Sequence, residues 1–255
     1  MLKIENLTVG FNCGTPLEKM VLKKFNLTVN DGDFICILGS NGAGKSTLFN
    51  AILGSLDYTG HIELDGEALD NVPQHKRAKK IGVVYQDPLR GTAPNLTVFE
   101  NMMLSTKGRI SFFKKKEYKE EAIKELETYG LGLETQLDTA ANSLSGGQRQ
   151  SLTLYMATNS NPKVLLLDEH TAALDPKTQE IVMNITNRIV SDKKIPTLMI
   201  THNLKSALEY GNRLIILNRG KVVLDISGDE KKNMTEEALL KTYSGNFSDA
   251  TLLSE

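Results

Sequence analysis

The sequence predicts an α/β fold with a mixed sheet around a phosphate-binding turn, an antiparallel β subdomain at the N-terminus and an inserted helical subdomain. Three observations predict it. Residues 2–9 and about 20–29 alternate apolar and polar side chains, as in Leu22, Phe25, Leu27 and Val29, the period-two signature of half-exposed antiparallel strands. Residues 34–38 form an apolar run that passes through Gly39-Ser40-Asn41-Gly42-Ala43-Gly44-Lys45-Ser46-Thr47 into a second apolar stretch, 48–53. That order is strand, glycine-rich turn, helix. Finally, strand–helix alternation stops at Asp87-Pro88, is absent to about Leu144, and returns at Val164.

In chain order, Asn12-Cys13-Gly14-Thr15-Pro16 is a polar connector between the first two strands, and Asn30-Asp31-Gly32-Asp33 is a turn feeding the third. Residues 61–66 read as a strand and turn, and 81–86 as another strand. Residues 95–101 open a helix, with Thr97 available as cap and Glu100 three residues on. Residues 113–129 read as a charged amphipathic helix; the mixed signs of 114–121 suit a solvated face rather than a lipid or nucleic-acid patch. Residues 148–160 form a further helix. Residues 164–167 and 197–200 are continuous apolar runs, as buried parallel strands require. Helices are expected at 178–191 and 204–210, a strand at 213–217, a hairpin turn at 218–221 into a strand at 222–226, and a short helix around 236–240. The expected division is one domain over 1–255: core and β subdomain from about 1–87 and 162–228, helical subdomain about 88–161, and a short tail from 229 to 255.

Composition limits the function. The chain has 255 residues, 40% hydrophobic and 24% charged, with a net charge of −1, so no basic excess draws it to nucleic acid or anionic lipid. Apolar runs fall far short of the ~20 residues that span a bilayer. Met1-Leu2-Lys3-Ile4-Glu5 lacks an apolar signal core, and the two cysteines, Cys13 and Cys36, make no disulfide framework. The expectation is a reduced, cytoplasmic setting.

Chemistry concentrates in three stretches. Residues 39–47 fit G-x-x-x-x-G-K-[ST], in which glycines bring backbone N–H groups to phosphate oxygens. Lys45 is expected to reach the β- and γ-phosphates of a nucleotide and Ser46 to place its hydroxyl on Mg²⁺. The apolar strand 164–167 ends in Asp168-Glu169, so Asp168 can hold Mg²⁺ and Glu169 can address the attacking water. In Leu144-Ser145-Gly146-Gly147-Gln148, Ser145 caps a helix whose first turn carries two glycines, a second helix start open to an anion.

Together these stretches resemble the ATP-binding-cassette (ABC) ATPases, whose signature is LSGGQ, and the resemblance runs from Leu2 to about Ile226. It implies a P-loop nucleoside-triphosphatase core. It implies that Gln86 senses Mg²⁺ and water, that His202 contacts the γ-phosphate, and that Ala173-Leu174-Asp175 carries communication between subunits. It places an adenine-stacking aromatic at Phe11; the rival, Phe25, sits in the alternating strand and reads as core. The chain departs from the family where His170 replaces the proline that usually follows the catalytic glutamate. Residues 168–176 and 87–94 are similar to a bacterial branch with permeases of the branched-chain amino-acid and sugar type and binders of aromatic amino acids. His170 thus reads as a branch marker, since Glu169 already occupies the base position.

By resemblance, two copies stack head to tail, with ATP on one phosphate loop closed over by Ser145, Gly146, Gly147 and Gln148 of the other. Separate integral membrane permease subunits, an extracellular solute-binding protein and a place on the inner face of the cell membrane are the implied partners and location. Import is favoured, possibly of an aromatic amino acid. An exporter ATPase is the alternative, and a soluble non-transport ABC ATPase a weaker one.

Overall fold

The computed structural model describes residues 1–106 and 115–246. The elements run β1 Leu2–Phe11, β2 Lys19–Val29, β3 Phe34–Leu38, α1 Lys45–Leu53, β4 Thr59–Leu64, β5 Glu67–Ala68, α2 Gln74–Arg77, β6 Ile81–Val84, α3 Val98–Ser105, α4 Lys115–Glu127 and α5 Gly146–Asn159. They continue with β7 Val164–Asp168, α6 Pro176–Lys193, β8 Thr197–Ile200, α7 Leu204–Glu209, β9 Arg213–Asn218, β10 Lys221–Ser227, α8 Gly228–Asn233 and α9 Glu236–Asn246.

Two sheets result. The larger has the order β10-β9-β3-β8-β7-β6, parallel throughout except for the β9–β10 hairpin. The smaller, β2-β1-β4-β5, is antiparallel. This is the mixed α/β architecture expected, with its antiparallel N-terminal sheet.

Strand parity decides what each face of the large sheet buries. Ile35, Ile37, Leu166, Leu198, Ile200 and Ile215 face one core, shared with Leu2, Ile4, Leu7 and Val9 of β1 and with Leu48, Phe49 and Ile52 of α1. Their alternates Phe34, Cys36, Leu38, Leu165, Leu167, Met199, Leu214 and Ile216 face the other, against residues of α5, α6, α7 and α9. Both faces are covered, which is why these strands read as unbroken apolar runs. Cys36 behaves as a small core residue: its thiol donates to Tyr210 O at 3.1 Å, and burial pushes it up to about 12.

Between β6 and β7 the described residues form no strand. Thr97 caps α3 in a full capping box with Glu100, as expected. The charged helix expected at 113–129 appears as α4; Phe113 and Lys114 lie outside the described residues. At the C-terminus the helix expected around 236–240 runs on to Asn246, and its Leu239 and Tyr243 are buried in the core.

Candidate functional site

The phosphate loop joins β3 to α1 at the C-terminal edge of the large sheet. Gly42 and Gly44 have φ of +79° and +106°, the left-handed region that glycine enters without a Cβ penalty. Gly39 is required for a different reason: a Cβ there would lie 2.5 Å from Leu217 O of β9. Ser40 to Thr47 line a cavity of about 380 Å³ together with Phe11, Asn12, Leu17, Lys19, Val21 and Glu169. Ser46 is exposed at the start of α1, whose first N–H groups have no side-chain cap. Lys45 is buried and donates to Gly39 O and Ser40 O. Burial lowers its ammonium below the usual lysine range, while Glu169 and then Asp168 pull it back up.

The two carboxylates sit where β7 ends. Pairing of Asp168 with Ile200 of β8 brings the residues after both strands side by side. Glu169 Oε1 lies 2.6 Å from His202 Nε2, and this bond holds the Glu169 carboxyl below the usual carboxylate range. Glu169 itself has a φ of +48°, a strained left-handed backbone for a non-glycine residue at the point that aims its side chain. Asp168 goes the other way, because burial and then Glu169's charge raise it above the ordinary aspartate value. Glu169 also lines a neighbouring cavity of about 340 Å³ with His170, Gln179, Thr201 and His202. It therefore stands between the phosphate loop and the histidine.

The other candidates fall into three groups. Phe11 ends β1 and lines the loop cavity, 39% exposed, whereas Phe25 is 4% exposed in the core. Gln86 lies two residues beyond the end of β6, on the same edge, but it is exposed and does not line the cavity. Ser145, Gly146, Gly147 and Gln148 are likewise absent from it. They open α5 in a capping box, Gln148 N donating to Ser145 Oγ and Ser145 N to Gln148 Oε1. A Cβ on Gly147 would collide with Thr178 of α6, and one on Gly146 would come 3.2 Å from Leu174. These glycines therefore let α5 pack against the turn and helix that follow the carboxylates.

His170 is 2% exposed and its ring is engaged by α6. Its Nε2 lies 3.1 Å from Thr186 Oγ1, and the threonine proton is already donated to Val182 O at 2.8 Å. His170 therefore donates through Nε2, and burial pushes it down to about 4, so the ring is neutral.

Sequence reasoning missed two groups around the site. Leu17 lines the loop cavity, and the hairpin turn at Gly220 donates its N–H to Ala43 O at 2.9 Å. A glycine in a hairpin carries no signal about a loop nearly two hundred residues away.

The ABC transporter family model matches residues 22–172. The chain is 46% identical over 247 residues, 95% of its length, to a tyrosine transport ATP-binding protein of Clostridioides difficile, covering 98% of that protein. It is 32% identical to a phosphonates import ATP-binding protein of a Ruegeria species, over 96% of this chain and 95% of the other. Among solved structures it is similar to the ATP-binding cassette MJ0796 in a dimeric post-hydrolysis state bound to ADP and Pi, with a TM-score of 0.74, 29% identity, and 89% and 98% of the two chains covered. It is also similar to cbiO1 of Clostridium perfringens, part of the transporter complex cbiONQ, with a TM-score of 0.78, 27% identity, and 97% and 95% covered.

Proposed function

The chain belongs to the ABC transporter family as an ATP-hydrolysing subunit, and from that premise we propose that it works as a head-to-tail homodimer powering solute import through separate membrane permease subunits. Among the described residues no helix is long and apolar enough to cross a membrane, and this proposal places the solute path in the permease subunits. The name of the 46%-identical relative makes an aromatic amino acid, tyrosine first, the solute to test. On this reading the chain is one ATPase domain, docked on the inner face of the membrane through the groove near Gln86 to Asn95 at the edge of the helical subdomain, with an extracellular binding protein delivering solute to the permease.

The observation that carries the reading is the placement of Glu169. Its carboxylate reaches the phosphate-loop cavity on one side and His202 on the other. Backbone N–H groups of 40–46 and the Lys45 ammonium receive the phosphates of ATP, so Lys45 exchanges two loop carbonyls for phosphate oxygens. Phe11 offers its ring to the adenine. Glu169 is ionised at neutral pH and accepts a proton from, or orients, the attacking water. His202 orients Glu169 and, on this reading, contacts the γ-phosphate. Ser46 and Asp168 would hold Mg²⁺, with Gln86 at the same edge, and a hydroxyl, a carboxylate and an amide oxygen are the hard donors that ion takes. When bound, the ion neutralises charge on the β- and γ-phosphate oxygens. Ser145, Gly146, Gly147 and Gln148 open a second anion-binding helix start away from their own chain's cavity, which suits them to the partner's γ-phosphate.

The test is light scattering of Glu169→Gln protein with and without Mg-ATP. Hydrolysis should fall by about 10²–10⁴, trapping an ATP-dependent dimer that Lys45→Ala or Ser145→Arg abolishes. Retention of hydrolysis by Glu169→Gln would refute the assignment of the base. Tyrosine uptake by cells expressing wild-type or Glu169→Gln protein tests the solute.

A further inference from the structure

His202, the partner of Glu169, is held from a part of the chain that carries none of the site's motifs. It immediately precedes α7, whose cap Asn203 accepts from Ser206 N at 2.8 Å and donates its own N–H to Thr201 Oγ1 at 3.1 Å. On its other side Thr201 N donates to Ile37 O of β3 at 3.2 Å. α7 has six residues, so it is a rod about 9 Å long, too short to absorb a displacement along its length. Its far end is therefore one of the two anchors of His202.

That far end is fixed by Lys231 of α8. The side chain is 5% exposed, and its ammonium donates to Leu208 O at 2.9 Å, Tyr210 O at 2.7 Å and Gly211 O at 2.8 Å. An ammonium has three donors, so these carbonyls take all of them and compensate the buried charge. They lie at the end of α7, where the last carbonyls have no partner within the helix. β3 holds the same turn: Phe34 N donates to Asn212 Oδ1 and Asn212 N to Phe34 O, both at 2.9 Å, and the Cys36 thiol reaches Tyr210 O. Gly211, at φ +73°, admits an approach so close that a Cβ there would lie 2.3 Å from Phe34 O. The turn after α7 is thus clamped between the strand that leads into the phosphate loop and α8.

Packing alone does not call for a cation here, because an apolar side chain would fill the space without the cost of burying charge. What the lysine adds is a fixed place for the end of α7. We propose that Lys231 is a positioning residue for hydrolysis, holding His202 against Glu169 through α7. The inference rests on reading His202 as the partner of Glu169 in that reaction. The phosphate loop is ordered by β3, α1 and the β9–β10 hairpin, so nucleotide affinity does not depend on Lys231.

ATP turnover and Mg-ATP dissociation constants of Lys231→Met protein, alone and combined with His202→Ala, test this well below each variant's melting temperature. Methionine fills similar space and removes the ammonium. A displaced histidine should lower kcat about ten- to hundredfold while the dissociation constant stays within about twofold, and Lys231→Arg, which keeps donors for the carbonyls, should recover most of the rate. In the His202→Ala background Lys231→Met should change kcat less than about twofold, because the residue through which it acts is gone. A single variant with kcat within about twofold of wild type would overturn the proposal, as would a loss that multiplies with that of His202→Ala or one that falls equally on affinity. If Lys231→Met does not fold, Lys231→Gln, which retains two donors, runs the same cycle. His202→Ala protein with wild-type turnover would instead show the histidine itself to be misassigned, and the proposal would fall with it.

Discussion

Replacing Gly220 by alanine tests whether the β9–β10 hairpin holds the phosphate loop in shape. Gly220 has φ +77°, so an added Cβ costs about 1 kcal/mol in backbone strain alone. That Cβ would lie 2.9 Å from Val21 C and 3.0 Å from Leu22 Cα, and closer still to Val21 O, all of them backbone atoms that cannot swing aside. The turn must therefore retreat from β2, and in retreating it gives up the hydrogen bond from Gly220 N to Ala43 O, about another 1 kcal/mol. Loss of the close contact brings the total to roughly 3 kcal/mol, a fall in Tm of about 6–12 °C for a chain of this size. Because Ala43 lies in the phosphate loop, the loosened loop should also bind ATP about five- to tenfold more weakly, the equivalent of about 1 kcal/mol. Thermal unfolding with and without Mg-ATP reads both effects. Lys221→Ala, an exposed change in the same hairpin, should move neither. A Gly220→Ala protein that melts within about 2 °C of wild type would refute the steric argument. One that melts low yet binds ATP normally would refute the coupling to the loop.

Two further predictions concern groups behind the site. His170 is held neutral at about 4 by burial, below the 6.5 of a free histidine, so the unfolded chain binds its proton more readily. The stability this represents is complete above about pH 6.5 and is lost as pH falls toward 4. Denaturant midpoints should show about 2 kcal/mol less stability at pH 5 than at pH 7 from this residue, and His170→Gln should flatten that part of the profile. An unchanged pH slope in the variant would refute it. Arg77 is 3% exposed and donates to the carbonyls of Ala51, Ile52, Leu69 and Val72 and to the Tyr58 hydroxyl. Ala51 and Ile52 are in the last turn of α1, so Arg77 closes the helix that starts at the phosphate loop. Arg77→Ala strands those carbonyls and should cost about 3–5 kcal/mol by urea unfolding, with Arg77→Lys intermediate; a loss below about 1 kcal/mol would contradict the cap.

What the sequence revealed and what it hid divide on range. The strand–turn–helix of 34–53 was legible because each step is local: an apolar run, glycines at the left-handed positions, a helix-forming stretch. The buried strands 164–167 and 197–200 were legible because both of their faces are covered, which leaves no polar alternation to mislead. The α3 cap was legible because Thr97 and Glu100 satisfy each other three residues apart. Arg77 was not: in Gln74-His75-Lys76-Arg77-Ala78-Lys79-Lys80 it reads as one more solvated cation, and only the meeting of α1 with the residues after β5 makes it a buried cap. His170 read as a marker of ancestry, and its partner Thr186 is on another element. The C-terminal residues read as a tail because two short helices alone bury little; Leu239 and Tyr243 join a core shared with α7 and with strands far upstream.

The remaining question is how the carboxylate and the Ser145 helix start, which do not share a cavity, belong to one machine. The residues that follow the carboxylate bring the two together. Glu169 O accepts from Ala172 N at 3.0 Å and Thr171 O from Leu174 N at 3.1 Å, so a tight turn follows the carboxylate at once. Asp175 then caps α6 by accepting from Thr178 N at 3.1 Å. Thr178 and Leu174 are the residues that Gly147 and Gly146 of α5 admit to close approach. The 171–175 turn therefore joins Glu169 to the residues that bear on the glycines opening α5. A larger residue at 147 would part α5 from α6 and break this path while leaving the phosphate loop intact. In the proposed head-to-tail pair, α5 of each copy would face the partner's ATP, which would set this turn between one site's carboxylate and the helix start that covers the other. The two glycines thus have a steric role inside their own chain beside the anion-binding role proposed for them across the dimer, and it is the first of these that makes their place on the turn after Glu169 intelligible.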